Sequence, residues 1–154
     1  NRPFAAEEWE FAGGKSLFDR ARQEARESRI DGRPDILGSD IDARSIDLCK
    51  KHAKKAGVMV NWKVAPLKEL STDKSGGLIV CNPPYGERMM EKREAEALYR
   101  EMRKKFDELD NWQVSVITAY RDFERIYGKR ADKRRKLSNG GMVCTMYQYF
   151  KRND

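Results

Sequence analysis

The sequence predicts a three-layer α/β domain, strands alternating with helices and closing in an antiparallel hairpin. Three observations carry this. Apolar runs of strand length alternate with charged segments whose apolar residues recur at helical spacing. The run "GLIVC", Gly77–Cys81, is continuously apolar, as in a parallel strand covered on both faces. Two β-rich runs in "RRKLSNGGMVCTMYQYF" flank Asn139-Gly140, a pair that favours a tight hairpin turn.

In chain order, Asn1 to about Ser28 reads as helix, with Trp9, Phe11, Leu17 and Phe18 available to dock on a sheet. "DILGSDID", Asp35–Asp42, is a short strand ending in acidic residues. Asp42 then caps a helix to about Ala56, with Ile46, Cys49 and Ala53 on one face and Gly57 as its stop. "VMVNWKV", Val58–Val64, alternates like a strand. After Gly77–Cys81, Ala95, Leu98, Met102, Phe106 and Leu109 repeat at helical spacing on a strongly charged segment. "WQVSVITAY", Trp112–Tyr120, is a further strand and "RDFERIYG" a short helix. No internal repeat or low-complexity linker interrupts the chain.

The 154 residues suit one domain, and 39% hydrophobic content supports a core. No apolar run approaches membrane-spanning length, so no membrane partner is expected. "NRPFAAEEW" is charged and aromatic, unlike a secretory leader; lacking Met, it reads as the start of a fragment. A net charge of +7 points toward an anionic partner, of which nucleic acid is the commonest large one. Cys49, Cys81 and Cys144 are far apart, and His52 is the sole histidine. That pattern suggests a reduced, cytoplasmic protein without a metal site.

The chemistry concentrates in "NPPY", Asn82–Tyr85, directly after the apolar run. Pro83 fixes its own φ and pushes Asn82 into an extended conformation, and Pro84 does the same to Pro83. The Asn82 amide and the Pro83 carbonyl are thereby held with little freedom. Tyr85 can present a flat face, and Gly86 lets the chain turn away without a side chain in the site. Rigid acceptors beside a stacking ring suit a planar group bearing an NH2. A proline-rich turn of no function is the plain alternative.

Asn-Pro-Pro-Tyr after a strand resembles the signature of class I S-adenosylmethionine-dependent methyltransferases acting on exocyclic amines. The longer "NPPYGER", with "GSDID" upstream and "NRPFAAEEW" at the start, is similar more narrowly to the RNA methylase family. The likeness runs through "RKLSNGG" and "YQYF". It implies a Rossmann-like fold and S-adenosylmethionine as cofactor. It also implies methylation of the guanine 2-amino group in ribosomal or transfer RNA, often beside an N-terminal RNA-binding module. Within that resemblance Asn82, Pro83 and Tyr85 are the catalytic candidates, and Pro84, Gly86 and Arg88 line the substrate. Asp40, at a strand end, is the candidate to accept hydrogen bonds from ribose hydroxyls, with Ile41 covering the adenine. Capping explains "DID" equally well, and Asp42 is assigned to it.

Two features depart from the family. The glycine-rich loop after its first strand is absent from residues 1–154. "AGGKS", Ala12–Ser16, is no substitute: Trp9 stands where a phosphate loop needs glycine, and no apolar strand precedes it. By spacing, the position that often recognises the adenine amine falls on Pro66, which offers only a carbonyl. Without its first strand the sheet must leave a gap, pair its second and fourth strands directly, or borrow a strand; an unpaired edge invites association.

"GKRADKRRK", Gly128–Lys136, carries six basic residues and one Asp. It is either a solvated loop or a phosphate-contact strip including Lys133, Arg134 and Arg135. The expected mechanism is direct methyl transfer to an amine held by Asn82 and the Pro83 carbonyl, with Tyr85 stacked on an extruded base. The same four residues would serve an adenine 6-amino group or a glutamine amide, and an inactive RNA-binding fragment is the reading outside enzymology.

Overall fold

A computed structural model describes residues 3–30, 32, 35–86, 89–139 and 141–151. The chain divides into two compact units, Asn1–Ile36 and Leu37–Asp154. The first is less helical than its sequence suggests. Two short 3-10 turns, Ala5–Glu8 and Glu10–Ala12, precede helix α1, Gly14–Glu27. Gly13 adopts φ +89°, which breaks the helix between them. Arg22 of α1 reaches back to Glu7, and the rings of Phe4 and Phe18 lie 5.9 Å apart, so this unit has its own small anchor.

The second unit holds the sheets. Strand β1, Leu37–Asp40, pairs in parallel with β2, Asn61–Val64. Helix α2, Ala43–Ala56, connects them and buries Ile46, while Cys49 and Ala53 on the same face are half-buried. Asp42 caps it and Gly57 ends it, at the boundaries the sequence indicates. Strand β2 is shorter than expected: it begins at Asn61, and Val58 and Met59 before it are more than half exposed.

Strand β3, Gly77–Cys81, pairs in parallel with β4, Trp112–Thr118. Helix α3, Met89–Asp107, makes the crossover, and helix α4, Phe123–Tyr127, follows β4. Strands β5, Lys133–Asn139, and β6, Met142–Tyr149, form the closing hairpin, with Asn139 paired to Met142 at its end. Gly140 itself lies outside the described residues. The four-stranded order is β3-β4-β6-β5. Among the described residues no strand joins β1 to β3, and these two strands do not pair with each other. This is the expected Rossmann-like alternation with an antiparallel end.

The core lies between one face of the four-stranded sheet and helices α3 and α4. Val114, Val116, Tyr147 and Tyr149 meet Ala95, Tyr99, Met102 and Phe106 of α3 and Phe123, Ile126 and Tyr127 of α4. Phe123 is its hub, with ring centroids 4.9–5.1 Å from Tyr99, Tyr127 and Tyr147. Each such pair contributes about 0.5–1.5 kcal/mol beyond its buried area. The core face of α3 therefore runs through Tyr99, fully buried, rather than through Leu98, which packs at its margin.

One expectation fails here. The Gly77–Cys81 run is not covered on both faces: Ile79 and Cys81 face the core, but Leu78 and Val80 are each 59% exposed. They stand on the face opposite α3 and α4, and β3 is the edge of its sheet, so its apolar sequence exceeds what its neighbours bury.

Candidate active site

The turn after β3 is built from Asn82 to Gly86. Two successive prolines remove two backbone donors, so nothing local can tie the turn through their N–H groups. It is held by hydroxyls instead. The Tyr85 hydroxyl donates to Asn82 Oδ1 at 2.7 Å, and the Tyr99 hydroxyl donates to the Pro84 carbonyl at 2.7 Å. Tyr99 comes from the buried face of α3 and also lies 3.4 Å from Thr118 Oγ1 at the end of β4. Thr118 in turn accepts from the Tyr120 backbone N–H at 3.1 Å. Gly86 closes the turn with φ +66°, and a Cβ there would stand 2.7 Å from Lys92 Cα. Only glycine lets the chain pass so close to the first turns of α3.

Asn82 is exposed, Pro83 buried, Pro84 exposed, and Tyr85 and Gly86 half-buried. The Pro83 carbonyl makes no hydrogen bond among the described residues, although its residue is buried. A carbonyl oxygen without a partner retains both lone pairs for an incoming donor. Tyr85 is more than the flat ring its position suggests. Its hydroxyl orients the Asn82 amide and touches the Cys144 thiol at 3.7 Å. That thiol contact and burial push the Tyr85 hydroxyl above the ordinary tyrosine range, which keeps it a proton donor at neutral pH. Burial likewise raises Tyr99. Cys81, at the strand end, is pushed up to about 12 by burial and is no nucleophile.

At the end of β1, Asp40 Oδ1 accepts from the Asp42 backbone N–H at 2.8 Å. Asp42 accepts from Arg44 N at 3.0 Å and from the Ser45 hydroxyl at 3.1 Å, completing the cap of α2. Asp40 is exposed and keeps its second carboxylate oxygen free of partners among the described residues. Ile41 is 73% exposed. One open carboxylate oxygen beside an open apolar side chain fits the ribose and adenine of a nucleoside. Pro66 opens a 3-10 turn, Leu67–Glu69, and its carbonyl already accepts from Glu69 N at 3.0 Å, so no adenine contact need be assigned to it.

The basic strip divides by strand alternation. Arg134 and Lys136 fall on the α4 side of β5, and Lys133 and Arg135 on the other. All four are exposed. Arg134 has a protein partner: its guanidinium holds Glu124 of α4 at 2.7 and 3.0 Å. Glu124 also accepts from the Ala131 backbone N–H at 2.6 Å, so Arg134 helps fasten the loop before β5. Arg88 lies outside the described residues.

Sequence reasoning missed Tyr99, Thr118 and Cys144. A signal for Tyr99 was present: Ala95, Tyr99, Met102 and Phe106 follow the i, i+4, i+7, i+11 pattern of a buried helix face. A tyrosine on such a face needs a partner for its hydroxyl.

Comparison with known proteins identifies the family. A family profile described as RMKL-like, methyltransferase domain, matches residues 1–148. The chain is 41% identical over 155 residues to the "Putative RNA methyltransferase YpsC" of Bacillus subtilis (strain 168), covering 99% of this chain and 40% of that protein. It is 32% identical over 135 residues to a "Ribosomal RNA large subunit methyltransferase K/L" of Legionella pneumophila (strain Corby), covering 86% of this chain and 19% of that protein. Among solved structures, "SMU.472, a putative methyltransferase complexed with SAH" superimposes with a TM-score of 0.87 at 37% identity, covering 100% of this chain and 41% of that one. The chain thus spans less than half the length of the relatives it matches.

Proposed function

This chain belongs to the family of RMKL-like methyltransferase domains, and from that premise we propose that it carries the base-holding end of an S-adenosylmethionine-dependent RNA methyltransferase. The amine acted on is the 2-amino group of guanine in ribosomal RNA. The observation that carries this reading is the turn after β3: an exposed Asn82 oriented by Tyr85, followed by a Pro83 carbonyl that makes no hydrogen bond among the described residues. The SAH-bound structural relative and the ribosomal RNA methyltransferases among its homologues support the cofactor and the substrate class.

The chemistry follows from the amine. A guanine 2-amino group is a poor nucleophile because its lone pair is delocalised into the ring. Asn82 Oδ1 has a second lone pair beyond the one Tyr85 occupies. It and the Pro83 carbonyl accept the two N–H groups, turning the nitrogen lone pair toward the methyl donor. The same two oxygens stabilise the positive charge that grows on nitrogen. The Tyr85 ring stacks on the extruded base, with Pro84 and Gly86 shaping the turn around it. The cofactor supplies an electrophilic methyl group on a sulfonium. S-adenosylmethionine, held through Asp40 and Ile41, would give up its methyl group and leave as the thioether, and the methylated nitrogen held by Asn82 and the Pro83 carbonyl would lose its proton to water. Asp40 binds the ribose hydroxyls through its free oxygen, and Ile41 covers the adenine.

Lys133 and Arg135, exposed on one side of β5, contact RNA phosphates, with Arg88 a further candidate. Binding of RNA by a separate module elsewhere in the protein accords with the fraction of its relatives that this chain spans. The three cysteines are free thiols, which favours a reducing, cytoplasmic setting.

Mass spectrometry of nucleosides tests the assignment, after ribosomal RNA is incubated with labelled cofactor and this chain in its full-length context. The expected product is 2-methylguanosine. Labelled 6-methyladenosine, or label on a protein glutamine, would move the activity to another amine; no transfer to any of these would overturn the enzyme reading.

A further inference from the structure

We infer that Tyr99 is the positioning residue of the transfer reaction, holding the Asn82–Tyr85 turn at the height that aims the Pro83 carbonyl and the Asn82 amide at the target amine. The inference rests on the function proposed above and deepens it.

The turn has few ways of being held. Pro83 and Pro84 cannot donate, so their carbonyls are the only backbone handles they offer. Those two carbonyls have opposite fates. That of Pro84 is claimed at 2.7 Å by the Tyr99 hydroxyl, whereas that of Pro83 makes no hydrogen bond among the described residues. Fixing the Pro84 oxygen on α3 fixes the backbone of the turn on both sides of it, and with it the position of the neighbouring Pro83 oxygen.

Tyr99 is suited to this. Its residue is 0% exposed, and its ring is packed edge-on against Phe123 at 5.0 Å and Tyr120 at 5.5 Å. A ring so enclosed cannot swing, and its hydroxyl stands at a fixed point. The contact with Thr118 Oγ1 at 3.4 Å steadies the same oxygen from the end of β4. Two rigid elements, α3 and β4, are thus joined to the turn through one phenol. Tyr85 acts on the Asn82 side chain, and Tyr99 acts on the backbone. Tyr99 touches no reacting atom, so its removal should lower the rate of the chemical step rather than the binding of either substrate.

The test compares two tyrosines of the same core. In the full-length context, Tyr99→Phe deletes the hydroxyl that reaches the turn. Tyr127→Phe makes the same chemical change at a residue 2% exposed and stacked on Phe123 at 5.1 Å, with no hydrogen bond to Asn82–Gly86 among the described residues. Single-turnover rates, KM for RNA and for S-adenosylmethionine, and melting temperature are measured for both. One unstrained hydrogen bond lost from a positioning contact corresponds to about a tenfold fall in kcat. The expected result is such a fall for Tyr99→Phe at unchanged KM values, with Tyr127→Phe within threefold of the parent. A Tyr99→Phe rate within threefold of the parent overturns the inference. So does an equal loss in both variants, which would mean general loosening of the core. Asn82→Ala, run alongside, keeps the two claims apart. If it is inactive while Tyr99→Phe is normal, the site stands and the positioning role fails. If Asn82→Ala turns over normally, the site reading itself fails.

Discussion

The turns that follow β1 and β3 do comparable work by opposite means. After β1, side chains bind backbone close by: Asp40 takes the N–H of Asp42, and Asp42 takes the N–H of Arg44. After β3, two prolines leave almost no donors, and the turn is held from a distance by Tyr99, fifteen residues on, and by a glycine that lets it lie against α3. Local wiring makes a turn that tolerates change around it. Tertiary wiring makes one whose oxygens stay aimed, because the aim belongs to the packed core rather than to the turn. In the function proposed above, the first turn would serve a ligand's ribose, held by one acceptor, and the second a reacting nitrogen that must be oriented.

The sharpest way to break the contrast is Gly86→Ala. Its φ of +66° and the 2.7 Å approach to Lys92 Cα leave no room for a methyl group. Strain and displacement together should cost about 3 kcal/mol. The expected outcome is a lowered melting temperature and a loss of methyl transfer exceeding tenfold; an unchanged rate would show that the turn is not held against α3. Asp40→Asn has a smaller expected effect. It keeps the acceptor for Asp42 N–H but removes the charge offered to ribose. Cofactor affinity should fall about tenfold by calorimetric titration, or about 1.4 kcal/mol, with melting temperature nearly unchanged.

Asp42→Ala tests the locality of the β1 turn. Losing this cap should cost about 1 kcal/mol, or about 3 °C in melting temperature, with little effect on transfer rate. A large rate loss would mean that the cap is coupled to the site. The mildest prediction concerns β5. Replacing both Lys133 and Arg135 with Gln should flatten the dependence of log K for RNA on log salt by about 1.5. Arg134→Gln should flatten it less, because Glu124 already occupies that guanidinium.

The same contrast explains what the sequence could convey. The cap at Asp42, the stop at Gly57, the bounds of Gly77–Cys81 and the closing hairpin were all legible, because each depends on residues within one turn or on strict alternation. The Asn-Pro-Pro-Tyr turn was legible as a motif, because proline restricts its own neighbourhood. Tyr99 was not, since its hydroxyl matters only once α3 has packed on the sheet and set it beside Pro84. The pairing of Arg134 was not legible for a similar reason: a run of cations looks uniform until the pleat directs alternate members to opposite faces and one meets Glu124. The expected burial of Leu78 and Val80 failed because an apolar run specifies a strand but not how many neighbours it will have.

The pairing of an oriented amide with an unclaimed carbonyl is tested most directly by one rate. Single-turnover methyl transfer by Asn82→Ala, at saturating S-adenosylmethionine and RNA in the full-length context, should fall about a hundredfold or more while cofactor affinity is retained. A rate within twofold of the parent would show that Asn82 does not hold the reacting amine.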